Sequence, residues 1–205
     1  MYLLLAILMG GGLILFGVGT GVGGGGLLNA FSSGGGNNQG SVVSSQEKRA
    51  LKATRLNPQS ASAWALLVQA RWTAAGEGAN YNSATGTFTA AGRREVTLAT
   101  KDWQRYLQLT SNADPSGIAA LAARAYASLG NYAGEASAWE VEAAANPSEV
   151  KGYECLAASA YAAKQNRKGD LALAKALVLV PKVQRVLLKQ QIQQAKTQPQ
   201  IAQQC

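Results

Sequence analysis

Four of the five prolines recur at a spacing that divides most of the chain into units. Pro115, Pro147 and Pro181 are separated by 32 and 34 residues, and Pro58 lies 57 residues before Pro115. Each of the first three in the chain is followed by an alanine-rich stretch, and proline blocks the continuation of a helix that reaches it. The pattern predicts an all-α fold of stacked antiparallel helical hairpins, with one hairpin in each proline-bounded unit.

The first interval is longer than the others and therefore predicts an insertion. Residues 76–92 read GEGANYNSATGTFTAAG, a Gly-, Asn- and Thr-rich composition with little charge that is typical of loops. We accordingly expect a half unit at 46–58, a unit at 59–115 that carries the insertion 76–92, and units at 116–147 and 148–181.

The leader, residues 1–22, has the composition of a membrane span. It contains no charged residue, and the first charge in the chain is Glu47. An apolar helix of about 20 residues is long enough to cross a bilayer. The absence of a basic start and the length of the apolar stretch favour a transmembrane anchor over the alternative, a removed signal peptide. Residues 23–45 are rich in Gly and Ser and predict a linker.

Glycines recur within and just after this predicted span in two GxxxG pairs, Gly17 with Gly21 and Gly19 with Gly23. Such pairs let two helices approach closely in lipid. They predict membrane-helix packing and, as one alternative, a homodimer; the other is that glycine is simply frequent in membrane helices.

The composition excludes several kinds of site. The chain has no histidine and only two cysteines, which rules out histidine-dependent catalysis and a zinc site with four thiolates. No carboxylate pair, activated nucleophile or phosphate loop stands out. We therefore predict that the protein is not an enzyme and has no catalytic residues, metal or cofactor.

The two cysteines, Cys155 and Cys205, allow at most one disulfide. Cys155 lies beside Leu156 in a predicted helix, where it is expected to be a buried small apolar residue. Cys205 lies in residues 197–205, a predicted flexible tail. Exposed there, it would be free to cross-link two chains in an oxidising compartment.

At the level of the repeat, the chain resembles the tetratricopeptide repeat (TPR) family. That family has a 34-residue helix–turn–helix unit with large, small and aromatic residues at set positions. Counting from the prolines places these residues at such positions: Trp64, Leu67, Ala123, Tyr126, Gly130, Tyr132, Trp139, Tyr153, Leu156, Ala157 and Ala176. Of these, Trp64, Tyr126, Trp139 and Tyr153 are expected to belong to the core. Together with the leader, the chain is similar to bacterial single-pass, membrane-anchored TPR proteins.

The resemblance implies a protein-binding function. Stacked hairpins form a concave surface, which in TPR proteins is lined by the first helix of each unit. In this chain the corresponding groove residues are Gln69, Trp72, Arg124, Lys151, Glu154 and Tyr161. The implied function is a membrane-anchored scaffold that binds an unidentified protein or peptide.

Helical periodicity orients Arg124 away from the predicted core. Ala120, Arg124 and Ala127 share one helix face because they are four and three residues apart. The opposite face carries an apolar stripe that includes Leu121 and Ala125. Arg124 is therefore expected to point into the groove, with Glu154 of the next unit as an intramolecular partner when nothing is bound.

Positive charge is concentrated toward the C-terminal end. The net charge is +8, and nine basic but two acidic residues lie from Lys151 onward. Residues 182–196 predict a capping helix whose apolar stripe covers the last unit. The stripe consists of Val183, Val186, Leu187 and Ile192.

An alternative function follows from the same helix. Its basic residues would bind anionic lipid or nucleic acid. Nucleic acid is the weaker of these because aromatic residues are not interleaved with the lysines.

The predicted location is the cell membrane, with the side of the soluble body left open. Basic residues after the span, from Lys48 to Arg55, favour a cytoplasmic body by the positive-inside rule. The resemblance to bacterial anchored TPR proteins favours the outer side.

Overall fold

The computed structural model describes residues 39–109, 115 and 117–205, with side chains from Ser45 onward. The predicted membrane helix 1–22 lies outside the described residues, as do residues 23–38 of the linker and the packing glycines Gly17, Gly19, Gly21 and Gly23. Among the described residues, no helix is both long enough and apolar enough to cross a bilayer. Residues Val43–Cys205 form one compact unit.

The described residues are mostly α-helical, which confirms the predicted all-α class. The helices are α1 (Gln39–Leu56), α2 (Ala61–Ala75), α3 (Ala90–Leu109), α4 (Ile118–Ser128), α5 (Tyr132–Ala145), α6 (Val150–Ala162), α7 (Asn166–Leu179) and α8 (Arg185–Gln193). Short 3-10 turns flank α8 at Lys182–Gln184 and Gln194–Lys196, and another spans Pro199–Gln204.

Consecutive helices from α2 to α7 pack against one another, and α2 also contacts α4. Alanine makes this packing close because its side chain is a single methyl group. Fully buried alanines on these helices include Ala119, Ala123, Ala136, Ala138, Ala157 and Ala176. Of the aromatic residues predicted to be core, Tyr126 and Trp139 are buried, whereas Trp64 and Tyr153 are half-buried against the same core.

A tyrosine packed on a glycine joins the two helices of α4–α5 and again of α6–α7. A β-carbon at Gly134 would lie 2.6 Å from the ring of Tyr126, and one at Gly169 would lie 2.5 Å from the ring of Tyr161. Any larger residue at either glycine would push against a buried ring. Glycine at these positions therefore sets how closely each helix pair approaches.

The insertion is an ordered structure that ends earlier than predicted. A 3-10 turn at Gly78–Asn80 leads into a two-stranded antiparallel hairpin of β1 (Tyr81–Asn82) and β2 (Thr87–Phe88). Helix α3 then begins at Ala90, inside the predicted insertion 76–92.

Helix α1 also begins earlier than predicted. It starts at Gln39, within the predicted linker 23–45. Serine, valine and glutamine after Gly40 continue the helix without a proline to stop it.

One half-buried arginine connects the first three helices. Arg71 of α2 pairs with Asp102 of α3 through Nη1 and Oδ2 at 2.7 Å, and its Nε lies 3.7 Å from Glu47 of α1. Burial raises the pKa of Asp102 to about 6, and the positive charge of Arg71 opposes that rise.

Helix α8 contacts α6 and α7, but its predicted apolar stripe is wrong. Ile192 is buried as expected, whereas Val183, Val186 and Leu187 are exposed. The inward face instead carries Leu188, Ile192 and Ala195 at spacings of four and three. The 3-10 turn at Lys182–Gln184 breaks the 3.6-residue period on which the predicted stripe depended.

The prediction of a flexible tail at residues 197–205 is wrong. Pro199–Gln204 forms a 3-10 helix in which Ala202 is fully buried, and Cys205 is half-buried. Cys155 is buried as predicted, but it forms a disulfide with Cys205, with a Cα–Cα distance of 5.6 Å. The bond is intramolecular, so Cys205 is not free to cross-link two chains. Small apolar residues in this glutamine-rich segment allow it to pack on the protein surface.

We expect Arg71→Met to destabilise the fold because it leaves Asp102 buried without a cation. Breaking a buried pair in this way costs about 3–5 kcal/mol. Urea unfolding followed by circular dichroism at pH 7.5 would measure the loss. The loss should shrink at pH 5, because Asp102, with a pKa of about 6, is then protonated.

Lys168→Met is the matched control, since its pair with Glu140 lies at the surface. That variant should change the unfolding free energy by less than about 1 kcal/mol. Equal losses in the two variants would contradict the structural role of Arg71.

Candidate functional site

A cavity of about 530 Å³ lies where α2, the β-hairpin, α3, α4, α5 and the last residues of the chain meet. It is lined by Trp72, Gly86, Thr87, Phe88, Arg93, Arg124, Ala127, Ser128, Glu135, Gln203 and Cys205. Aromatic, cationic and carboxyl groups thus face one space. We refer to it as the central cavity.

One wall of the central cavity is aromatic. The rings of Trp72 and Phe88 pack edge to face with centroids 5.8 Å apart, and Tyr81 packs on Phe88 in the same manner at 5.5 Å. Phe88 thereby holds the hairpin against α2. The sequence predicts only an insertion here, and its contribution to the aromatic wall was not predicted. The available signal was the presence of aromatic residues in a Gly- and Thr-rich loop.

Two arginines supply positive charge. Arg93 of α3 and Arg124 of α4 are both exposed and line the central cavity. Within the described part of the chain, neither forms an ion pair with a carboxylate. The expected pairing of Arg124 with Glu154 is therefore not formed, and both guanidinium groups are available to an anion.

Glu135 is a fully buried carboxyl at the edge of this space. Its side chain is 0% exposed, and neither carboxylate oxygen has a hydrogen-bond partner among the described residues. Burial raises the pKa of Glu135 to about 8, while the nearby indole N–H of Trp139 lowers it by less. The group is therefore mostly protonated at neutral pH and able to donate a hydrogen bond.

The position of Glu135 follows from its neighbours. The side chain of Asn131 caps α5 by accepting a hydrogen bond from Gly134 N at 2.9 Å, and Gly134 lies under the Tyr126 ring. Glu135 is next in the chain, in the first turn of α5, and is fully buried. From sequence alone, a glutamate in the first turn of a helix is typical of an exposed residue favoured by the helix dipole, so it was not singled out.

The central cavity brings together two of the six predicted groove residues. Trp72 and Arg124 line it. Gln69 and Lys151 are exposed and Glu154 is half-buried, but none of these three is part of its lining.

The prediction that Tyr161 lines the groove is wrong. It is completely buried, and its hydroxyl donates a hydrogen bond to Asp170 Oδ1 at 2.7 Å. Lys196 lies over its ring at 4.2 Å. The chain's own residues therefore cover Tyr161, and it is not available to a partner.

A second groove of about 860 Å³ runs beside α5, α6 and α7. Two of its lysines already have partners: Lys168 pairs with Glu140 at 2.6 Å, and Lys175 lies over the ring of Tyr153 at 5.8 Å. The second groove also holds Arg167, which forms no ion pair among the described residues. The central cavity is the stronger candidate site because two such arginines lie there beside an aromatic wall.

Comparisons with protein-family profiles, curated proteins and solved structures found no match to this chain. A functional assignment consequently depends on the chemistry of the central cavity and on the repeat pattern of the helices.

We expect the stability of the protein to fall as pH rises from about 4.5 to 8. Over that window the unfolded state, with a Glu pKa of 4.5, loses the proton of Glu135, whereas the folded state, with a pKa of about 8, retains it. Each unit by which the folded pKa exceeds the unfolded pKa changes the unfolding free energy by about 1.4 kcal/mol across this window. Glu135→Gln removes this titration, so its melting temperature relative to wild type should rise between about pH 4.5 and 8 and level off above pH 8.

Glu149→Gln provides the comparison, because Glu149 is exposed and its curve should run parallel to that of wild type. Asp102 is present in wild type and in both variants, so its contribution to the pH dependence cancels when their melting temperatures are subtracted. A Glu135→Gln curve that also runs parallel to wild type would show that Glu135 is ionised in the folded protein at neutral pH.

Proposed function

We propose that the protein is a TPR-like helical-repeat scaffold whose central cavity binds an acidic segment of another protein that carries an aromatic or apolar side chain. The observation that carries this proposal is the pair of unpartnered arginines, Arg93 and Arg124, beside the aromatic wall of Trp72 and Phe88. A guanidinium group binds a carboxylate through two parallel hydrogen bonds. An aromatic wall beside it accommodates an apolar side chain.

The buried carboxyl supports a polypeptide as the ligand. Protonated Glu135 has no hydrogen-bond partner among the described residues, and a buried polar group without a partner is costly. Because the carboxyl group is fully buried in the structure, a peptide carbonyl can accept its proton only when binding moves the side chains that cover it. A strand with an acidic and an aromatic residue supplies all three complementary groups.

The repeat interpretation is supported by two features that recur. The tyrosine–glycine contact appears in α4–α5 and again, 35 residues later, in α6–α7. The turn inside each pair places Gly130 and Lys164, 34 residues apart, at φ of 71° and 62°. In each turn the next N–H donates to a carbonyl five residues earlier, at 2.9 and 2.8 Å.

The leader, residues 1–22, bears on where the proposed scaffold would act. If residues 1–22 form the proposed anchor, the scaffold is held at the cell membrane and presents its cavity to partners there. Close packing through Gly17, Gly19, Gly21 and Gly23 would then bring two scaffolds together.

We expect Arg124→Glu to weaken binding of a fluorescein-labelled synthetic peptide of alternating Asp, Glu and Phe residues. The loss should be about 1–3 kcal/mol, or roughly 5- to 150-fold in Kd, because a charge-assisted contact becomes a repulsion. Fluorescence anisotropy with the full chain in detergent gives the Kd, and the melting temperature should stay unchanged. Arg93→Glu should act in the same direction.

Arg167→Glu makes the same change of net charge at an exposed arginine outside the central cavity. Affinity should fall far less in that variant. If all three variants lose affinity equally, peptide affinity depends only on the net charge of the protein, and the central cavity is not the binding site.

A second function, binding of an anionic lipid surface by α8, is favoured by one observation. Val183, Val186 and Leu187 are 89%, 68% and 59% exposed, beside Lys182 and Lys189. Exposed apolar side chains flanked by lysines suit the interface of an anionic membrane.

Hydrogen exchange of the full chain in lipid nanodiscs tests this second function. Amides of residues 183–189 should be protected in phosphatidylglycerol nanodiscs but not in phosphatidylcholine nanodiscs. Lys182→Gln with Lys189→Gln should abolish the protection. Equal exchange in the two lipids would exclude the lipid interaction.

A further inference from the structure

The last residues of the chain form part of the central cavity, which the proposed function assigns to a partner, and they pack against the helices beside it. The turn Pro199–Gln204 contacts α6 and α4. Ala202 is fully buried there, and Gln203 Nε2 donates to Ala127 O at 3.4 Å and to the Tyr132 hydroxyl at 3.2 Å. We call residues 199–205 the cover segment.

The cover segment also forms one side of the central cavity. Gln203 and Cys205 line it together with Arg124 and Glu135. Removing these two residues would open the cavity toward the faces of α4 and α6 that the segment now occupies. The position of the cover segment therefore decides how much of the proposed binding surface a partner can reach.

The cover segment is fixed at both ends. Before it, Lys196 is held by three contacts: its carbonyl accepts from Lys164 Nζ at 2.8 Å, its ammonium lies 3.5 Å from Asp170, and it covers the Tyr161 ring. At its far end, Cys205 is bonded to Cys155 of α6. Thr197 and Gln198 between these anchors are exposed and are the natural pivot.

Between its two anchors the cover segment is weakly held. Ala202 contributes a single buried methyl group, Ile201 is half-buried, and Gln203 makes the two long hydrogen bonds. A buried methyl group and neutral hydrogen bonds contribute little net stability. The disulfide is therefore the contact that keeps the segment in place.

We propose that the Cys155–Cys205 disulfide locks the cover segment over the binding surface, and that its reduction releases the segment and exposes that surface to the partner. This regulation rests on the proposed function of the central cavity. The oxidised protein is the closed form, and the reduced protein is the open form. The partner competes with the cover segment for α4 and α6 only in the oxidised protein.

The reductant is a dithiol. One of its thiolates attacks Sγ of Cys205, the more accessible sulfur because Cys155 is fully buried. The Sγ–Sγ bond breaks, and Cys155 leaves as a thiolate that takes up a proton. The second thiol of the reductant then displaces Cys205. The protein gains two electrons and two protons, and the dithiol becomes a disulfide.

Hydrogen exchange of the full chain in detergent tests the lock without any ligand. On treatment with dithiothreitol, amides in residues 199–205 should exchange at least about tenfold faster, while those of α2 and α3 stay unchanged. Cys205→Ser should reproduce this change without reductant. Unchanged protection of residues 199–205 in both samples would overturn the proposal.

Global unfolding is distinguished by circular dichroism of the same samples. The helical signal should persist after reduction, because the disulfide joins only the chain end to α6, whereas helices α2–α7 pack through many other buried side chains. Collapse of that signal would show that the bond holds the whole fold together, and the proposal of a local lock would be overturned.

The labelled acidic peptide then separates this inference from the proposed function. Its Kd should fall at least about tenfold on reduction, and Cys155→Ser with Cys205→Ser should bind tightly whether or not dithiothreitol is present. Equal affinity of the oxidised and reduced wild type would overturn the lock while leaving the binding site intact. If amides of residues 199–205 exchange faster on reduction but neither form binds the peptide, the proposed function is overturned. The release of the cover segment by reduction would then still stand.

Discussion

Contact between a tyrosine ring and a glycine within each of the later helix pairs is the constraint on which the described structure depends. Tyr126 on Gly134 and Tyr161 on Gly169 leave no room for a β-carbon, so the helices approach closely and the alanines between them are buried. Glu135, the residue after Gly134, is fully buried, whereas Asp170, the residue after Gly169, is exposed. The tyrosine–glycine contact therefore sets the helix packing, while the burial of a carboxyl beside it is particular to α5.

The ends of the helical array shape the candidate site. The β-hairpin closes one side by packing Phe88 on Trp72, and the last residues of the chain close another by way of the Cys155–Cys205 bond. Neither belongs to helices α2–α7. Together with those helices, the two segments enclose a cavity with an aromatic wall and two arginines that form no ion pair among the described residues.

Regular features were predictable from the sequence and irregular ones were not. Proline spacing and alanine content predicted the helix pairs, and the period of α4 placed Arg124 outside the core, where the structure exposes it. The pairing of Cys205 was missed, because nothing local shows that a glutamine-rich segment returns to α6. Tyr161 was wrongly predicted to line the groove and Glu135 was not singled out, because burial depends on tertiary packing that no local pattern encodes. Tyr161, for example, donates a hydrogen bond to Asp170 and lies under Lys196.

The central claim is that a partner binds in the central cavity, and the indole resonances of the full chain test it most directly. The chain has four tryptophans, of which Trp72 alone lines this cavity among the described residues. In ¹⁵N-edited NMR spectra of the reduced protein, adding the acidic aromatic peptide should shift the Trp72 indole resonance and leave those of Trp64 and Trp103 nearly unchanged. Saturable binding that leaves Trp72 unmoved would contradict the account.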